Sequence, residues 1–545
     1  MTHLILLAIL AIGTALRLGN LAAKPIWVDE VFTALFSLGQ SFDRLPLGGV
    51  IPVGEIENIF QLQPGVGCGA IAQHLTAQST HPPLFFCLMN RWLWALQGTD
   101  LPLIWQLRAL PALLGVGAIA AVYGVGKLAF NRKAGLWAAA FMAVSPFGVY
   151  QSQEARHYTL PILLITGGLG CLFGIHRDLR GRRFSVGPWL GLVLLNSLGL
   201  YVHYFHFIAL AGQGLTLLVI LGINKAFKLK IWSLSAIALL IPVILYWPWW
   251  SILLFHFNNP KASWLPEPSH ITPLLQMLMS VVLMMVAPPV ERQPLGVMIG
   301  AGAIALIFVL WLFWQIGRGW RLLQQRYPPE TTILLSFIGA VLMQFLVIIY
   351  GLGKDISVAP RYHFVYYSAI CLAIGGSLEQ LAPKQIWQRP GLIALLGGFL
   401  SSLLVIFNLS FLKPYHPLPV ARQLQDVPQP STVVMAYHYP LDIALGLSYA
   451  LALDGLRSPS ASTSFLFLNN QQGYNLVWQS LEQDWAQTPQ SLWVFGPGLI
   501  KESYPDRLRL SAETLCRRDP QGYYRVGIPY QLYDCGRSPQ ADSLN

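Results

Sequence analysis

Long apolar runs separated by short polar stretches set the pattern of this chain. A membrane crossing needs about 20 mostly apolar residues. Runs of that kind fall at 3–20, 109–130, 136–150, 159–175, 188–205, 207–223, 231–254, 296–316, 331–351, 363–380 and 391–411. They predict an α-helical polytopic membrane protein with about eleven transmembrane helices. The polar stretches between them are basic: NRKAG (131–135), HRDLRGRRF (176–184), NKAFKLK (224–230), GRGWRLLQQR (317–326) and PKQIWQR (383–389). Lysine and arginine mark cytoplasmic loops, and with the amino terminus inside all five fall on that side.

One apolar stretch needs a decision. Counting 271–290, ITPLLQMLMSVVLMMVAPPV, as a crossing would move GRGWRLLQQR to the outer side. It is read instead as an outer-surface helix lying against the membrane. The outer face then carries a long first loop (about 21–108), loops at 151–158, 203–206, 255–295 and 352–362, and a polar tail from 412 to 545. In the tail, STVVMAY and SLWVFG read as strands and PLDIALGLSYALAL as a helix. The expected division is a membrane domain at 1–411 and a small extracytoplasmic α/β domain at 412–545.

Composition agrees with that picture. The chain is 54% hydrophobic and 11% charged, where soluble domains carry about 25% charged residues, and its mean hydropathy is +0.52. The net charge of +11 would suggest nucleic-acid binding in a soluble protein. Here much of it lies in the short loops, not clustered on one phosphate-binding face, so no nucleic-acid partner is expected. The first 19 residues, MTHLILLAILAIGTALRLG, lack a basic n-region and no A-x-A site follows, so they are predicted to stay as the first crossing. Of six cysteines, Cys87, Cys171 and Cys371 lie in apolar stretches and read as small buried hydrophobes. Cys516 and Cys535 lie in the tail and are free to pair if the tail is outside.

Candidate chemistry collects at the outer ends of the crossings. WVDEVFT (27–33) sets Asp29 and Glu30 just after the first crossing, where helix-dipole stabilisation of a helix start is the plain alternative. STHPPLFF (79–86) adds His81, and YQSQEARHY (150–158) adds Glu154, Arg156, His157 and Tyr158. YVHYFHF (201–207) brings His203, Tyr204 and His206, while VAPRYHF (358–364) brings Arg361, Tyr362 and His363. Arginine and tyrosine also anchor helices at interfaces, so each cluster alone has an ordinary explanation. Their shared level beside an acidic pair points to a site at the water–lipid boundary. Arginine forks suit a lipid-linked phosphate, and a carboxylate suits removal of an acceptor proton. The set fits transfer of a group from a lipid phosphate to a hydroxyl or amine.

In order along the chain, RLGNLAAKPIWVDEVFT, THPPLFFCLMNRWLWAL, RALPALLGVGAIAAVYGVGKLAF, SPFGVYQSQEARHYTL, LGLYVHYFHF and APRYHF resemble the GT-C superfamily of membrane glycosyltransferases. The likeness covers about residues 5–410. It is strongest to bacterial relatives of protein O-mannosyltransferases and of the lipid A aminoarabinose transferase. The resemblance implies a hexosyl- or pentosyltransferase with a polyprenyl-phosphate sugar donor, inversion at the anomeric carbon, and reaction on the extracytoplasmic face of a bacterial-type plasma membrane. The acceptor is a protein, a lipid or a glycan. It implies that Asp29, with Glu30 beside it, is catalytic. Arg361 would bind the donor phosphate, with Arg156 and Tyr158 as phosphate or pocket residues. His81, Glu154, His203, Tyr204 and Tyr362 would line the pocket. Some members use a divalent metal near the acidic loop and others do not. Asp29, Glu30 and His81 offer ligands, yet no spacing requires a metal and none is assigned.

Two rival classes are weighed. A secondary transporter or flippase would place ionisable groups near mid-membrane, in broken helices related by repeats; here they sit at helix ends on one side and no repeat is found. A non-catalytic scaffold of the same fold is disfavoured by the intact acidic pair and both arginines.

Overall fold

The computed structural model describes residues 2–226, 228–257, 265–381, 390–413, 415–456, 462–482 and 488–537. The chain divides into two compact units. One comprises Met1–Ala22, Ser79–Trp92 and Gly98–Leu412; the other comprises Ala23–Gln78, Leu93–Gln97 and Lys413–Asn545. The long first loop is thus divided between them.

The first unit is helical. All eleven apolar segments fall on helices, but fewer are long enough to cross a membrane unaided. Among the described residues five helices meet that length and apolarity: Leu103–Ala129, Thr159–Arg180, His206–Ile223, Leu295–Arg326 and Pro328–Gly351. A sixth crossing is available if Leu229–Leu245 and Trp247–Phe257, bent by 42°, count together. The break falls at Tyr246, and Pro248 just after it has no N–H to continue the bonding pattern of the first helix. The remaining apolar helices are shorter, Thr2–Leu18 having 17 residues, about 25 Å. Segment 136–150 is broken in two, Arg132–Val144 and Pro146–Ser152, because Pro146 starts a new helix with Ser145 as its cap.

Leu295–Arg326 is the clearest lipid-facing element. Only 11% of its apolar window is buried within the protein, and Ile299, Ile304, Ile307 and Leu310 point outward. Such a surface is stable in hydrocarbon and not in water. This helix corrects one expectation, since GRGWRLLQQR (317–326) is its last three turns and not a loop. The residues are mostly good helix formers, and the helix stops before Pro328. Helix Thr272–Leu283 has 12 residues, about 18 Å, too short to cross, which agrees with leaving 271–290 out of the crossings. The basic stretch 383–389 lies outside the described residues.

Small residues let the inner helices approach closely, as membrane bundles require. A Cβ placed on Gly126 would lie 2.8 Å from the Cα of Gly135, and one on Gly375 would lie 2.3 Å from the nitrogen of Ala138. Helix Arg132–Val144 is therefore held between Leu103–Ala129 and Phe364–Gln380. Cys171 and Cys371 keep free thiols in this unit. Cys87 does not: it is disulfide-bonded, a correction to its reading as an apolar filler.

The second unit is built on a seven-stranded mixed sheet. Its strands are β1 Ile51–Pro52, β2 Ser431–Tyr437, β3 Thr463–Asn469, β4 Ser491–Phe495, β5 Arg507–Arg509, β6 Thr514–Val526 and β7 Ile528–Arg537, in the order β1-β3-β2-β4-β7-β6-β5. β3, β2 and β4 run parallel, and β2 and β4 are almost wholly buried, as parallel strands covered on both faces must be. The predicted strands at 431–437 and 491–495 and the helix at Pro440–Asp454 are all present. Helices Val28–Ser37 and Pro417–Gln425 pack on that helix. On the antiparallel side, Cys516 and Cys535 face each other in register across β6 and β7 and are joined by a disulfide with an S–S distance of 2.00 Å.

Candidate functional site

The segment 145–159 organises the site in the first unit. Pro146 stands at the first helical position and Ser145 accepts a bond from Gly148 N (3.4 Å), so a short helix forms and ends at Ser152. The chain then turns, with Arg156 N donating to Glu154 O at 2.7 Å, before Thr159 opens the next helix. Gln153 ties this turn to the first helix by donating to Gly19 O (2.8 Å) and Leu16 O (3.2 Å). Arg17, itself buried, donates to Met142 O and Ala143 O at 3.0 Å each. All six residues of the turn, 153–158, are buried, the polar Gln153, Glu154, Arg156 and His157 among them.

His81 meets this turn from another segment. Pro82 and Pro83 end its loop, and Leu84 N bonds Tyr201 O at 3.0 Å, which brings the loop to residues 201–205. Its Nε2 lies 3.0 Å from Arg156 Nη2 and its Nδ1 lies 2.8 Å from Ser79 Oγ. A guanidinium only donates, so Nε2 is the acceptor and the ring proton sits on Nδ1, directed at Ser79. His203 receives Phe205 N on Nδ1 at 2.9 Å, which leaves its proton on Nε2.

Three imidazoles pack edge-on or tilted against one another in this region. The His157 ring is 5.0 Å from His81, 4.8 Å from His203 and 4.6 Å from Tyr158. Burial, then the guanidiniums of Arg156 and Arg361 among the nearby charges, holds His81 well below its ordinary range. Burial, His203 and Arg156 do the same for His157. His203 is pushed down to about 3, chiefly by burial and then by Arg156. All three are neutral near pH 7, so Arg156 and Arg361 are the positive charges of the cluster. Tyr362 lies 6.2 Å from His203, and Arg361 lies 5.6 Å over the Tyr362 ring with its carbonyl accepting from Gln151 Nε2 at 3.0 Å. Arg156 lies 5.9 Å over Tyr158. Glu154 is buried and hydrogen-bonds the Tyr150 hydroxyl.

His81, Glu154, Arg156, Tyr158, His203, Arg361 and Tyr362, separated by up to 281 positions, are thus in one unit and linked by contacts or charge. Tyr204 points elsewhere: its hydroxyl accepts from Trp249 Nε1 (3.2 Å) and donates to His256 Nδ1 (2.6 Å). Sequence reading passed over His256, Gln151, Ser79 and Arg17. His256 stands at a helix end, and the rule that found the other clusters would have found it.

Asp29 and Glu30 belong to the second unit, in the first turn of helix Val28–Ser37. They differ in use. Glu30 is fully buried and its Oε2 accepts from Trp27 N at 3.2 Å, closing the helix start. Asp29 is half-buried, and its charge is felt by Tyr415, whose hydroxyl is raised by burial first and then by Asp442 and Asp29. Lys413 lies 3.9 Å over the Trp27 ring. No set of three or more His, Cys, Asp or Glu side chains is gathered for a metal among the described residues. The Nε2 lone pair of His81 faces a guanidinium, so a cation there would meet that charge.

The fold places the chain among known structures. It has the fold of ArnT from Cupriavidus metallidurans: the apo state superposes with a TM-score of 0.55 at 11% identity, covering 97% of each chain. The form bound to undecaprenyl phosphate gives 0.53 at 11% identity, covering 96% of this chain and 97% of that one. An Archaeoglobus fulgidus oligosaccharyltransferase aligns over 83% of this chain and 64% of its own at 13% identity, with a TM-score of 0.47. No protein-family model and no curated protein matches the sequence. At 11% identity this likeness is one of fold.

Proposed function

We propose that this chain is a membrane glycosyltransferase that moves a sugar from a polyprenyl-phosphate donor to an acceptor on the extracytoplasmic face of a bacterial-type plasma membrane. The observation that carries the reading is the gathering of Arg156 and Arg361 with three neutral imidazoles and two tyrosines, in a fold shared with a protein solved with undecaprenyl phosphate. A membrane helix bundle with two arginine forks as its local cations suits one phosphate on a long apolar tail. In this reading residues 1–411 cross the membrane eleven times, starting inside, and an outer domain is built on 412–545.

The proposed reaction uses those groups and Asp29. Arg361 and Arg156 hold the donor phosphate. The acceptor oxygen or nitrogen attacks the anomeric carbon from the face opposite the phosphate, so configuration inverts. The bond from that carbon to the phosphate oxygen breaks with its electron pair leaving on the phosphate, which the arginines stabilise. Asp29 takes the acceptor proton. Products are the glycosylated acceptor and polyprenyl phosphate.

Purified protein given a panel of polyprenyl-phosphate sugars and a cell-envelope extract should consume one donor and release polyprenyl phosphate, followed by mass spectrometry. No consumption of any donor, with a lipid-linked substrate instead moved across vesicles, would replace this reading by a transporter.

A further inference from the structure

The turn that carries Arg156 also holds polar atoms with nothing to bind. Gln151, His157 and Thr159 are at most 1% exposed, and Gln151 Oε1, both ring nitrogens of His157 and Thr159 Oγ1 have no hydrogen-bond partner among the described residues. A buried polar atom left without a partner is costly, and native structures rarely tolerate it. Four on the stretch 151–159 mark a place where a ligand brings the partners.

What they can bind is limited by their chemistry. The Gln151 amide nitrogen is already spent on Arg361 O at 3.0 Å, which leaves an oxygen that only accepts. His157 is wedged against His81, Tyr158, His203 and, at 6.0 Å, Phe85. Enclosed beside two guanidiniums it is neutral, so one nitrogen donates and the other accepts. A threonine hydroxyl does both. Phosphate oxygens accept and do not donate, so they would leave Gln151 and one face of His157 unsatisfied. Sugar hydroxyls donate and accept, so they suit a lone acceptor, a neutral imidazole and a hydroxyl alike.

We infer that Gln151, His157 and Thr159 read the hydroxyl groups of the donor's sugar, while its phosphate goes to Arg156 and Arg361. This rests on the donor class proposed above. It makes the stretch 151–159 a specificity element, with phosphate and sugar recognition on one turn.

The test uses the full-length protein in detergent with Thr159→Val, which keeps the shape, and His157→Phe, which keeps an aromatic ring. Each should raise KM for the accepted polyprenyl-phosphate sugar about tenfold. Each should also narrow discrimination between two donors differing at one sugar hydroxyl. Affinity for undecaprenyl phosphate, which has no sugar, should stay within about twofold, which also shows that the variants fold. Unchanged KM and discrimination would overturn the inference, with water as the partner of these atoms. Equal loss toward undecaprenyl phosphate would overturn it too, since the residues would then serve the phosphate or the fold. A wild-type protein that turns over no lipid-linked sugar would refute the proposed function itself, before any variant is compared.

Discussion

Gln153 caps the helix that carries Arg17, and Arg17 caps the helix that leads toward Gln153. The Gln153 amide donates to Leu16 O and Gly19 O at the end of Thr2–Leu18, while the Arg17 guanidinium donates to Met142 O and Ala143 O at the end of Arg132–Val144. Helix ends leave carbonyls unsatisfied, and these two side chains supply donors to them. The pair therefore sets the angle at which the 154–158 turn leaves the helices, and with it the direction of Arg156.

Gln153→Leu should keep the volume and orphan these carbonyls. A loss of about 1–3 kcal/mol is expected, read as a lower melting temperature in detergent, with weaker undecaprenyl phosphate binding. Arg17→Met should destabilise similarly, because it removes bonds to two buried carbonyls. Unchanged melting in both variants would mean that the helix ends are satisfied otherwise.

Much of this was legible in the sequence, for reasons that also explain the gaps. Ser431–Tyr437 and Ser491–Phe495 are short runs rich in β-formers, and their pattern is local. The two-residue strand Ile51–Pro52 pairs with Ser464 and Phe465, more than 400 positions away, and nothing local announces such a partner. In the same way residues 23–78 read as a membrane loop yet fold with the sheet unit. The site residues declared themselves as polar groups at the ends of apolar runs. Their uses did not, since Glu30 and Asp29 are neighbours in sequence and only burial separates a helix cap from a half-exposed carboxylate. His157 occupied a motif position without a role, because an unpartnered nitrogen is visible only once its surroundings are folded.

The buried imidazoles predict acid sensitivity. His81, His157 and His203 are lowered in the folded state, His203 to about 3, from an ordinary value of 6.5. The unfolded chain therefore binds more protons below pH 6.5, and stability must fall as pH drops through that range. The slope is up to about 1.4 kcal/mol per pH unit for each group. Between pH 7 and 9 these groups should contribute no slope. Melting temperatures from pH 4 to 9 check this, and His203→Phe should flatten the acid limb if it folds comparably.

Arg361 should bind the donor phosphate. Arg361→Ala is expected to weaken undecaprenyl phosphate binding about 10–100-fold. Arg361→Lys should recover part, because an ammonium lacks the planar fork. Microscale thermophoresis of the detergent-solubilised protein reads both, and wild-type affinity in the alanine variant would remove the assignment.

Topology can be tested apart from chemistry. Gln325 is exposed at the end of helix Leu295–Arg326, and Gln472 is exposed in the sheet unit. With the amino terminus inside, a cysteine at 325 should resist an impermeant thiol reagent in intact cells until they are lysed. A cysteine at 472 should react at once in cells whose outer layer is permeable to the reagent. Labelling at 325 before lysis would overturn the inside placement of the basic stretches.

The acidic pair makes the sharpest test of the proposed chemistry. Glu30 is fully buried and caps the helix through Trp27 N at 3.2 Å, so Glu30→Gln should cost about 0.5–2 kcal/mol of stability and leave most turnover in the protein that remains folded. Asp29 is half-buried, its charge acts on Tyr415, and it is the carboxylate proposed to take the acceptor proton. Asp29→Asn keeps the shape and removes the basicity. It should melt within about 1 kcal/mol of wild type, bind undecaprenyl phosphate normally, and lose about 10²–10⁴-fold in kcat. An acceptor that ionises more readily needs the base less, so the deficit should shrink as acceptor pKa falls. If Asp29→Asn turns over normally while Glu30→Gln does not, the two roles are exchanged and the buried carboxylate must turn out of its cap to act. If both variants keep full turnover, the pair is only a helix start, and the proton leaves by another route.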